Sequence, residues 1–225
     1  MSQHYWVVIP AAGVGTRMQA DRPKQYLPLR GRTLIEHTLD CFLGQPELLG
    51  LVVCLSADDD WWPQLACALD TRISRAAGGR ERADSVLSGL KRLSELGADE
   101  QDWVLVHDAA RPNLAETDLH KLVRELADDP VGGLLAVPVR DTLKLAGPDG
   151  RVQSTPDRAL YWQAYTPQMF RLGALRKALA AALAAGVAIT DESSAMEWAG
   201  HSPRLIEGRA DNIKITRPED LHWLG

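Results

Sequence analysis

Hydrophobic residues along the chain fall into two alternating kinds of segment. Short runs rich in Val and Leu, each ending near Gly, Pro or Asp, are typical of parallel strands buried on both faces; they span residues 5–10, 50–56, 72–77, 102–108 and 132–139. Between them, apolar residues recur at helical spacing in residues 33–44, 81–97 and 114–129. This alternation predicts an α/β fold: a Rossmann-like, doubly wound, mostly parallel sheet with ligands at the carboxyl ends of its strands.

The ends of these segments agree with that prediction. Thr33 is placed to cap the start of the first helix, and Gly97 to end the second. Towards the C-terminus the pattern predicts a helix over 171–186, then a helix capped by Thr190 or Asp191. A last strand over 211–216 and a short helix over 217–224 are expected to follow.

The alternation is interrupted once, at about residues 138–162. Here the segments "DTLKLA" and "RVQST" flank the turn residues "GPDG", which predicts an antiparallel β-hairpin projecting from the sheet. Such an arm leaves strand edges unpaired in a monomer, so we expect it to pack on a second subunit. The whole chain, 1–225, is then one domain with an inserted arm.

Composition and charge restrict the class of protein. The 225 residues are 45% hydrophobic, no apolar run approaches the roughly 20 residues that span a bilayer, and the N-terminus lacks the features of a secretion signal, so we expect a cytoplasmic protein without membrane contact. A net charge of −5 argues against nucleic acid as a partner. The three cysteines lack metal or redox spacing and are expected to be reduced apolar filler.

The first strand leads into a glycine-rich loop, "IPAAGVGTRMQADRPKQYLPL" (9–29). Met18 stands where a dinucleotide-binding loop needs its third glycine, and no G-K-[ST] follows as in a P-loop. The small residues expose backbone N–H groups that suit phosphate oxygens or the edge of a base. Arg17 and Lys24 follow them on an irregular segment, and cations beside such a cradle suit a triphosphate.

Two further motifs follow predicted strands. Asp108 in "HDAARP" is placed to hold Mg²⁺, directly or through water, whereas His107 is expected to be a packed, hydrogen-bonded histidine. In "AGGRERADSV", Gly79 and the Ser85 hydroxyl near a helix start offer a seat for a base or a phosphate. The sequence contains no G-x-S-x-G elbow and no cysteine in an activating context.

Taken in order, "PAAGVGTRM", "PKQY", "GGRERADSV", "VHDAARP", "PVRDTLK", "TDESSAME" and "EGRADNIKITRPEDL" closely resemble the 2-C-methyl-D-erythritol 4-phosphate cytidylyltransferases of the non-mevalonate isoprenoid pathway. The resemblance runs nearly from end to end. It implies a nucleotidyltransferase that joins CTP and 2-C-methyl-D-erythritol 4-phosphate, with Mg²⁺, to give 4-diphosphocytidyl-2-C-methyl-D-erythritol and pyrophosphate. It also implies a homodimer in which the arm reaches into the partner's site.

The same resemblance implies roles for individual residues. Arg17 and Lys24 match the residues that stabilise the charged phosphorus. The matches to the nucleotide site are Ala11, Ala12, Gly13, Gly15, Gly79, Ser85 and Ala109. The matches to the site of the alcohol phosphate are Asp108, Arg111, Thr142, Arg158, Thr190 and Lys214. Two alternatives stay open: a cytidylyltransferase for another alcohol phosphate, such as ribitol 5-phosphate, and a nucleotide-binding regulator without turnover.

Overall fold

The computed structural model describes residues 3–13 and 22–224. The predicted roles of Gly15 and Arg17, and the interpretation of Met18, lie outside the described residues. The strands are β1 (Tyr5–Pro10), β2 (Pro28–Leu29), β3 (Arg32–Thr33), β4 (Leu48–Leu55), β5 (Ile73–Ala77), β6 (Trp103–Val106), β7 (Gly132–Pro138), β8 (Leu145–Ala146), β9 (Val152–Ser154), β10 (Trp162–Arg171) and β11 (Arg204–Glu207). The α-helices are α1 (Leu34–Leu43), α2 (Arg82–Glu95), α3 (Glu116–Leu126), α4 (Leu172–Ala184) and α5 (Glu192–Trp198).

Seven strands form the central sheet in the order β11-β7-β10-β6-β1-β4-β5. Every pairing in it is parallel except the two made by β10, which runs antiparallel to both β6 and β7. The strand order reverses at β1, which pairs with β4 on one side and β6 on the other. The predicted α/β fold with a mostly parallel sheet is therefore confirmed, and this reversal is where such sheets bind their ligands.

Helices cover both faces of the sheet, because strand residues point alternately to opposite sides. Val7 and Ile9 of β1 pack in one apolar core with residues of α1 and α3. Val8 between them packs in the other core, with residues of α2, α4 and α5. Gly89 lets α2 approach the sheet closely, since a Cβ there would lie 2.6 Å from the Val8 Cγ1 atom.

The predicted helix ends are found where the sequence placed them. Thr33 caps α1 by accepting from the Glu36 N–H, and the Glu36 carboxylate accepts from the Thr33 N–H in return. Asp191, one of the two residues expected to cap the later helix, caps α5 by accepting from the Ser194 N–H at 2.9 Å. Gly97 follows α2 with φ of +96°, a conformation that favours glycine.

The sequence was wrong about the last strand. Residues 211–216 do not form a strand: the Ile215 N–H donates to the Ala110 carbonyl, and the Asn212 carbonyl accepts from Arg111. The segment is therefore tied to the loop after β6, and the edge strand of the sheet is β11 instead. The sequence also missed β10, where the Thr166-Pro167 pair reads as a strand breaker.

The predicted hairpin is present but shorter than expected, because only β8 and β9 pair. None of residues 138–165 is buried. The exposed side chains of this region include Leu145, Val152, Leu160 and Tyr161, which are large and apolar. We refer to residues 138–162 as the arm.

The cysteines fit their expected role. All three are free thiols, and Cys54 is fully buried between β4 and α2. Burial raises the pKa of Cys54 to about 12 and that of Cys41 to about 11, so both stay protonated at neutral pH. Within residues 3–13 and 22–224, the helices are all too short or too polar to cross a membrane.

Candidate active site

A cleft of about 310 Å³ opens at the carboxyl ends of β1, β5 and β6. Its wall contains most of the residues that the sequence analysis assigned to the nucleotide, together with Lys24, Asp108 and Lys214: Ala11, Ala12, Gly13, Gly79, Ser85 and Ala109. Parallel strands deliver their ends to the same edge of the sheet, which explains why residues so far apart in sequence converge here.

Hydrogen bonds to its backbone hold the loop after β1 in place, and its small residues line the cleft. The Ala11 N–H donates to the Cys54 carbonyl at 2.9 Å, and the buried Gln25 side chain donates to the Ala11 carbonyl at 2.6 Å. A Cβ on Gly13 would meet no described atom within 4 Å, so this position is open. The loop thus offers a cradle without side-chain bulk.

The opposite wall is the start of α2. The Ser85 hydroxyl accepts from the Gly79 N–H at 2.9 Å and donates to the Glu81 carbonyl at 3.2 Å. Its described contacts therefore hold the turn that leads into the helix. Next to this turn, a Cβ on Gly78 would collide with the Cβ of Ala12, so glycine is required for the two walls to meet.

Lys24 begins a single turn of 3₁₀-helix, Lys24–Tyr26, at the rim of the cleft. The turn is anchored from behind: the Tyr26 hydroxyl donates to the Asp59 carboxylate at 2.7 Å, and its ring stacks on Trp61 with centroids 6.2 Å apart. Gln25 ties the same turn to the cradle. The sequence predicts an irregular segment around Lys24, and packing fixes where its backbone lies.

Asp108, directly after β6, is the charged centre of the floor. Its Oδ1 atom accepts from Arg82 Nε at 3.0 Å, while its Oδ2 atom lies 2.9 Å from Lys214 Nζ and 3.4 Å from Arg111 Nε. Burial alone would raise the pKa of Asp108, but these three cations outweigh it and hold the pKa well below its usual range. The carboxylate is therefore ionised at neutral pH.

Arg82 is shared with a second carboxylate. Its Nη1 and Nη2 atoms donate to the two carboxylate oxygens of Glu192 at 2.6 and 3.1 Å, a bidentate ion pair. The Glu192 side chain is 1% exposed, and burial raises its pKa above the ordinary value while Arg82 opposes the rise. Among these side chains three cations thus face two carboxylates, and Asp191 adds a third carboxylate at the second cavity.

His107 is packed and hydrogen-bonded, as expected. Its Nε2 atom lies 3.0 Å from the Arg111 carbonyl and its Nδ1 atom 2.9 Å from the Thr166 hydroxyl, which also accepts from the Asp108 N–H. Burial lowers the pKa of His107 to about 4, so the ring is neutral and serves to link β6 to β10. It is not placed as a metal ligand.

A second cavity of about 270 Å³ adjoins the first one and is lined by Arg111, Thr190 and residues of β10. Arg82, Asp108 and Lys214 line both cavities. Four of the six residues assigned to the alcohol phosphate thus meet here: Asp108, Arg111, Thr190 and Lys214. The boundary between the cavities carries this cluster of paired charges.

The other two residues of that set, Thr142 and Arg158, lie on the arm. Both are exposed, and neither lines either of the two adjoining cavities. The Arg158 guanidinium donates to the Arg140 carbonyl within the arm itself. The structure therefore does not bring them to this chain's own cleft.

The described residues suit a divalent ion only if the substrate supplies most of its ligands. No group of three or more His, Cys, Asp or Glu residues is assembled for a metal in the described part of the chain. Asp108 is the carboxylate on the floor that faces both cavities, and Mg²⁺ commonly takes one or two carboxylates plus substrate phosphates. The donor set fits an ion that arrives with a nucleotide.

Sequence reasoning missed Arg82 and Glu192. Both begin helices, α2 and α5, and both lie in segments that the sequence analysis quoted. An acid in the first turn of a helix is ordinarily a solvated partner of the helix dipole, so Glu192 gave no sign that it is buried. Only the approach of α2 and α5 to the end of β6 reveals the pair.

These features define a class. A doubly wound sheet whose strand ends carry a glycine-rich cradle, cations and a second adjoining cavity is the architecture of an α/β nucleotide-binding transferase. Residues 5–223 match the family model described as IspD, 2-C-methyl-D-erythritol 4-phosphate cytidylyltransferase. The chain belongs to this family.

Individual relatives agree. The chain is 72% identical to the 2-C-methyl-D-erythritol 4-phosphate cytidylyltransferase of Ectopseudomonas mendocina (strain ymp), over 100% of this chain and 95% of the relative. It is 72% identical to that of Pseudomonas aeruginosa (strain UCBPP-PA14), over 96% and 93%. Among solved structures, that of the Francisella tularensis enzyme superposes with a TM-score of 0.83 at 35% identity, covering 98% of each chain. A crystal structure of 4-diphosphocytidyl-2C-methyl-D-erythritol synthase gives 0.84 at 39%, covering 99% of this chain and 96% of the other.

Proposed function

We propose that the protein transfers CMP from CTP to 2-C-methyl-D-erythritol 4-phosphate and releases pyrophosphate. The observation that carries this proposal is the pair of adjoining cavities that share Arg82, Asp108 and Lys214. One cavity has the small-residue cradle that suits a nucleotide, and the other has the cations that suit a phosphorylated alcohol. A reaction between two anionic substrates needs this layout, and family membership names the two substrates.

The chemistry requires position and charge rather than a covalent nucleophile. In an in-line displacement, a phosphate oxygen of the alcohol substrate forms a bond to the α-phosphorus of CTP while the bond to pyrophosphate breaks. Lys24 at the rim and Arg17 on the preceding loop are assigned to the negative charge that accumulates on that phosphorus. Ala11, Ala12, Gly13, Gly15, Gly79, Ser85 and Ala109 are assigned to the nucleotide.

On the other side, Lys214, Arg111 and Thr190 are assigned to the alcohol phosphate, with Asp108 between the two substrates. A phosphate that enters the second cavity competes with Asp108 for Lys214, whose side chain is 33% exposed. The ion pair thus keeps the lysine in place before substrate binds.

We assign Mg²⁺ as the metal, held by the phosphates of CTP and by Asp108 directly or through water. When bound, it neutralises triphosphate charge and favours departure of pyrophosphate. The role of this chain is to keep Asp108 ionised, which Arg82, Lys214 and Arg111 do.

We also propose that the protein works as a homodimer in which the arm of one chain completes the cleft of the other. Thr142 and Arg158 support this, since both are exposed and neither reaches the cavities of its own chain. The exposed apolar residues of the arm support it as well, because such surface is usually covered by a partner.

A pyrophosphate-release assay with CTP and Mg²⁺ tests the proposed reaction. We expect release with 2-C-methyl-D-erythritol 4-phosphate and none with ribitol 5-phosphate or without an alcohol phosphate. Release with ribitol 5-phosphate alone would assign the protein to the alternative transferase. CTP binding without pyrophosphate release under any of these conditions would support the alternative of a nucleotide-binding regulator without turnover.

A further inference from the structure

We propose that Glu192 and Arg82 form a positioning pair that sets the orientation of Asp108 and so couples the two substrate cavities. Neither residue belongs to the site that the sequence analysis assigned. The inference rests on the proposed function, because it assigns the pair a part in that reaction.

The geometry of the pair is the first support. Glu192 uses both carboxylate oxygens on Arg82, at 2.6 and 3.1 Å, which fixes the plane of the guanidinium. The remaining nitrogen in that plane, Nε, donates to Asp108 Oδ1 at 3.0 Å. A rotation of the Glu192 carboxylate therefore changes where the Asp108 carboxylate is held.

Burial is the second support. The Glu192 side chain is 1% exposed, and Arg82 supplies every hydrogen bond described for its carboxylate. A buried ion pair is weak evidence for stability, because an apolar pair of similar volume commonly serves as well. The desolvation cost of such a pair is justified where it fixes a specific orientation. Here it fixes the Arg82 guanidinium, which in turn orients Asp108 on the floor of the cleft.

The third support is the placement of the pair in the chain. Glu192 lies two residues after Thr190, which lines the second cavity, and Arg82 is the first residue of α2 and lines both cavities. Gln168 of β10 braces the same corner, since its side chain contacts both Asp191 and the Ser193 N–H. A movement of either cavity wall therefore changes the position of Asp108, because the Glu192–Arg82 pair connects both walls to its carboxylate.

A double-mutant cycle tests the link. Glu192→Gln keeps the shape of the side chain but removes its charge and one acceptor, and we expect kcat to fall about 10- to 100-fold through misplacement of Asp108. The dissociation constant of CTP alone should rise as well, because Arg82 and Asp108 line the nucleotide cavity. In an Asp108→Asn background, Glu192→Gln should lower the single-turnover rate by less than about twofold. If the double variant instead shows the full product of the two single reductions in rate, the residues act independently and the proposal is overturned.

Folding is checked separately. The variant Arg82→Gln/Glu192→Gln leaves no unpaired buried charge on the pair, so its urea midpoint should recover towards wild type while kcat stays low. Recovery of both would mean that the pair only stabilises the fold, which would contradict the proposal. Glu100→Gln is the matched control: it breaks the Arg176–Glu100 pair at the opposite end of β6 and should leave kcat unchanged.

A crystal structure of Glu192→Gln gives a readout that does not depend on activity. We expect the Asp108 carboxylate to rotate away from its wild-type orientation. An unmoved Asp108, held by Arg111 and Lys214 alone, would overturn the positioning role whatever the substrate is. Absence of pyrophosphate release by the wild-type protein would instead count against the proposed function.

Discussion

The floor of the cleft and the arm differ in how far each is complete within one chain. On the floor, every charge of Asp108, Arg82 and Glu192 has a partner, and the two carboxylates are buried. On the arm, none of residues 138–165 is buried, and apolar side chains such as Leu160 face solvent. Folding of one chain completes the contacts of the floor, whereas the exposed apolar side chains of the arm are typical of a surface that another molecule covers.

The difference separates two kinds of functional residue. Residues on the floor are positioned by their own chain, so their effects should be visible as changes in rate at a normal oligomeric state. Residues on the arm act only where a partner is present, so their effects should depend on assembly. Four experiments, from the largest expected effect to the smallest, test this division.

Lys24→Ala should produce the largest loss. Because its charge is needed most where negative charge accumulates in the transition state, we expect kcat to fall about 10²- to 10³-fold and the KM for CTP to rise less than about threefold. Steady-state kinetics measures both. Lys91→Ala, on the exposed face of α2, is the control and should behave as wild type. An unchanged kcat with weakened CTP binding would contradict the assigned role.

Mixing two inactive variants tests whether sites are shared between chains. Lys24→Ala removes a residue of the cleft, and Arg158→Ala removes one of the arm. If the arm serves the partner's cleft, hybrid dimers contain one intact site, and random exchange should restore about a quarter of wild-type activity. Mass spectrometry of the intact dimers verifies exchange. Exchange without any recovery would place both residues in the site of a single chain.

Leu145→Asp/Val152→Asp should separate assembly from folding. Both side chains are exposed on the hairpin, so we expect little change in melting temperature but a halved mass in light scattering, with activity lost in parallel. Lys144→Gln/Arg151→Gln, at neighbouring positions on the same hairpin, makes the same change of −2 in net charge and controls for it. A dimer that persists in the apolar variant would show that the arm does not hold the subunits together.

Gly13 of the cleft and Gly78, next to its wall, should respond in opposite ways. Gly78→Ala forces a Cβ against Ala12 and 3.0 Å from the Leu55 carbonyl, and should destabilise the fold by about 1–3 kcal/mol. Gly13→Ala places its methyl in open space, so stability should change by less than about 0.5 kcal/mol while the KM for CTP rises. Urea unfolding and CTP titration distinguish the two. Equal destabilisation would mean that the cradle is not open at Gly13.

Local patterns predicted the parts of the fold that are locally determined. The α/β alternation, the Thr33 cap and the small residues of the cradle each follow from sequence spacing and were found. β10 was missed because its exposed first half and the Thr166-Pro167 pair hide the strand pattern. Residues 211–216 look like a strand by composition, but their backbone groups bond to the loop after β6 instead.

The same limit applies to the site. Asp108 and Lys214 were assigned because they match motifs, and the structure brings them to 2.9 Å. Glu192 and Arg82 are 110 residues apart, and nothing in either segment signals that they meet. Their pairing depends on how α2 and α5 pack over the sheet, which is a long-range property that no local spacing encodes.

The single antiparallel strand has a consequence for how this architecture can vary. β10 leaves the arm at Trp162 and runs into the sheet beside β6, with Thr166 pinned to the Asp108 N–H. Between the arm and the cleft its pairing with β7 is irregular, because the register shifts between Ala164 and Gln168. A change of one residue in the length of the arm can therefore be absorbed in this irregular stretch, while Gln168 to Arg171 keep their register against β6.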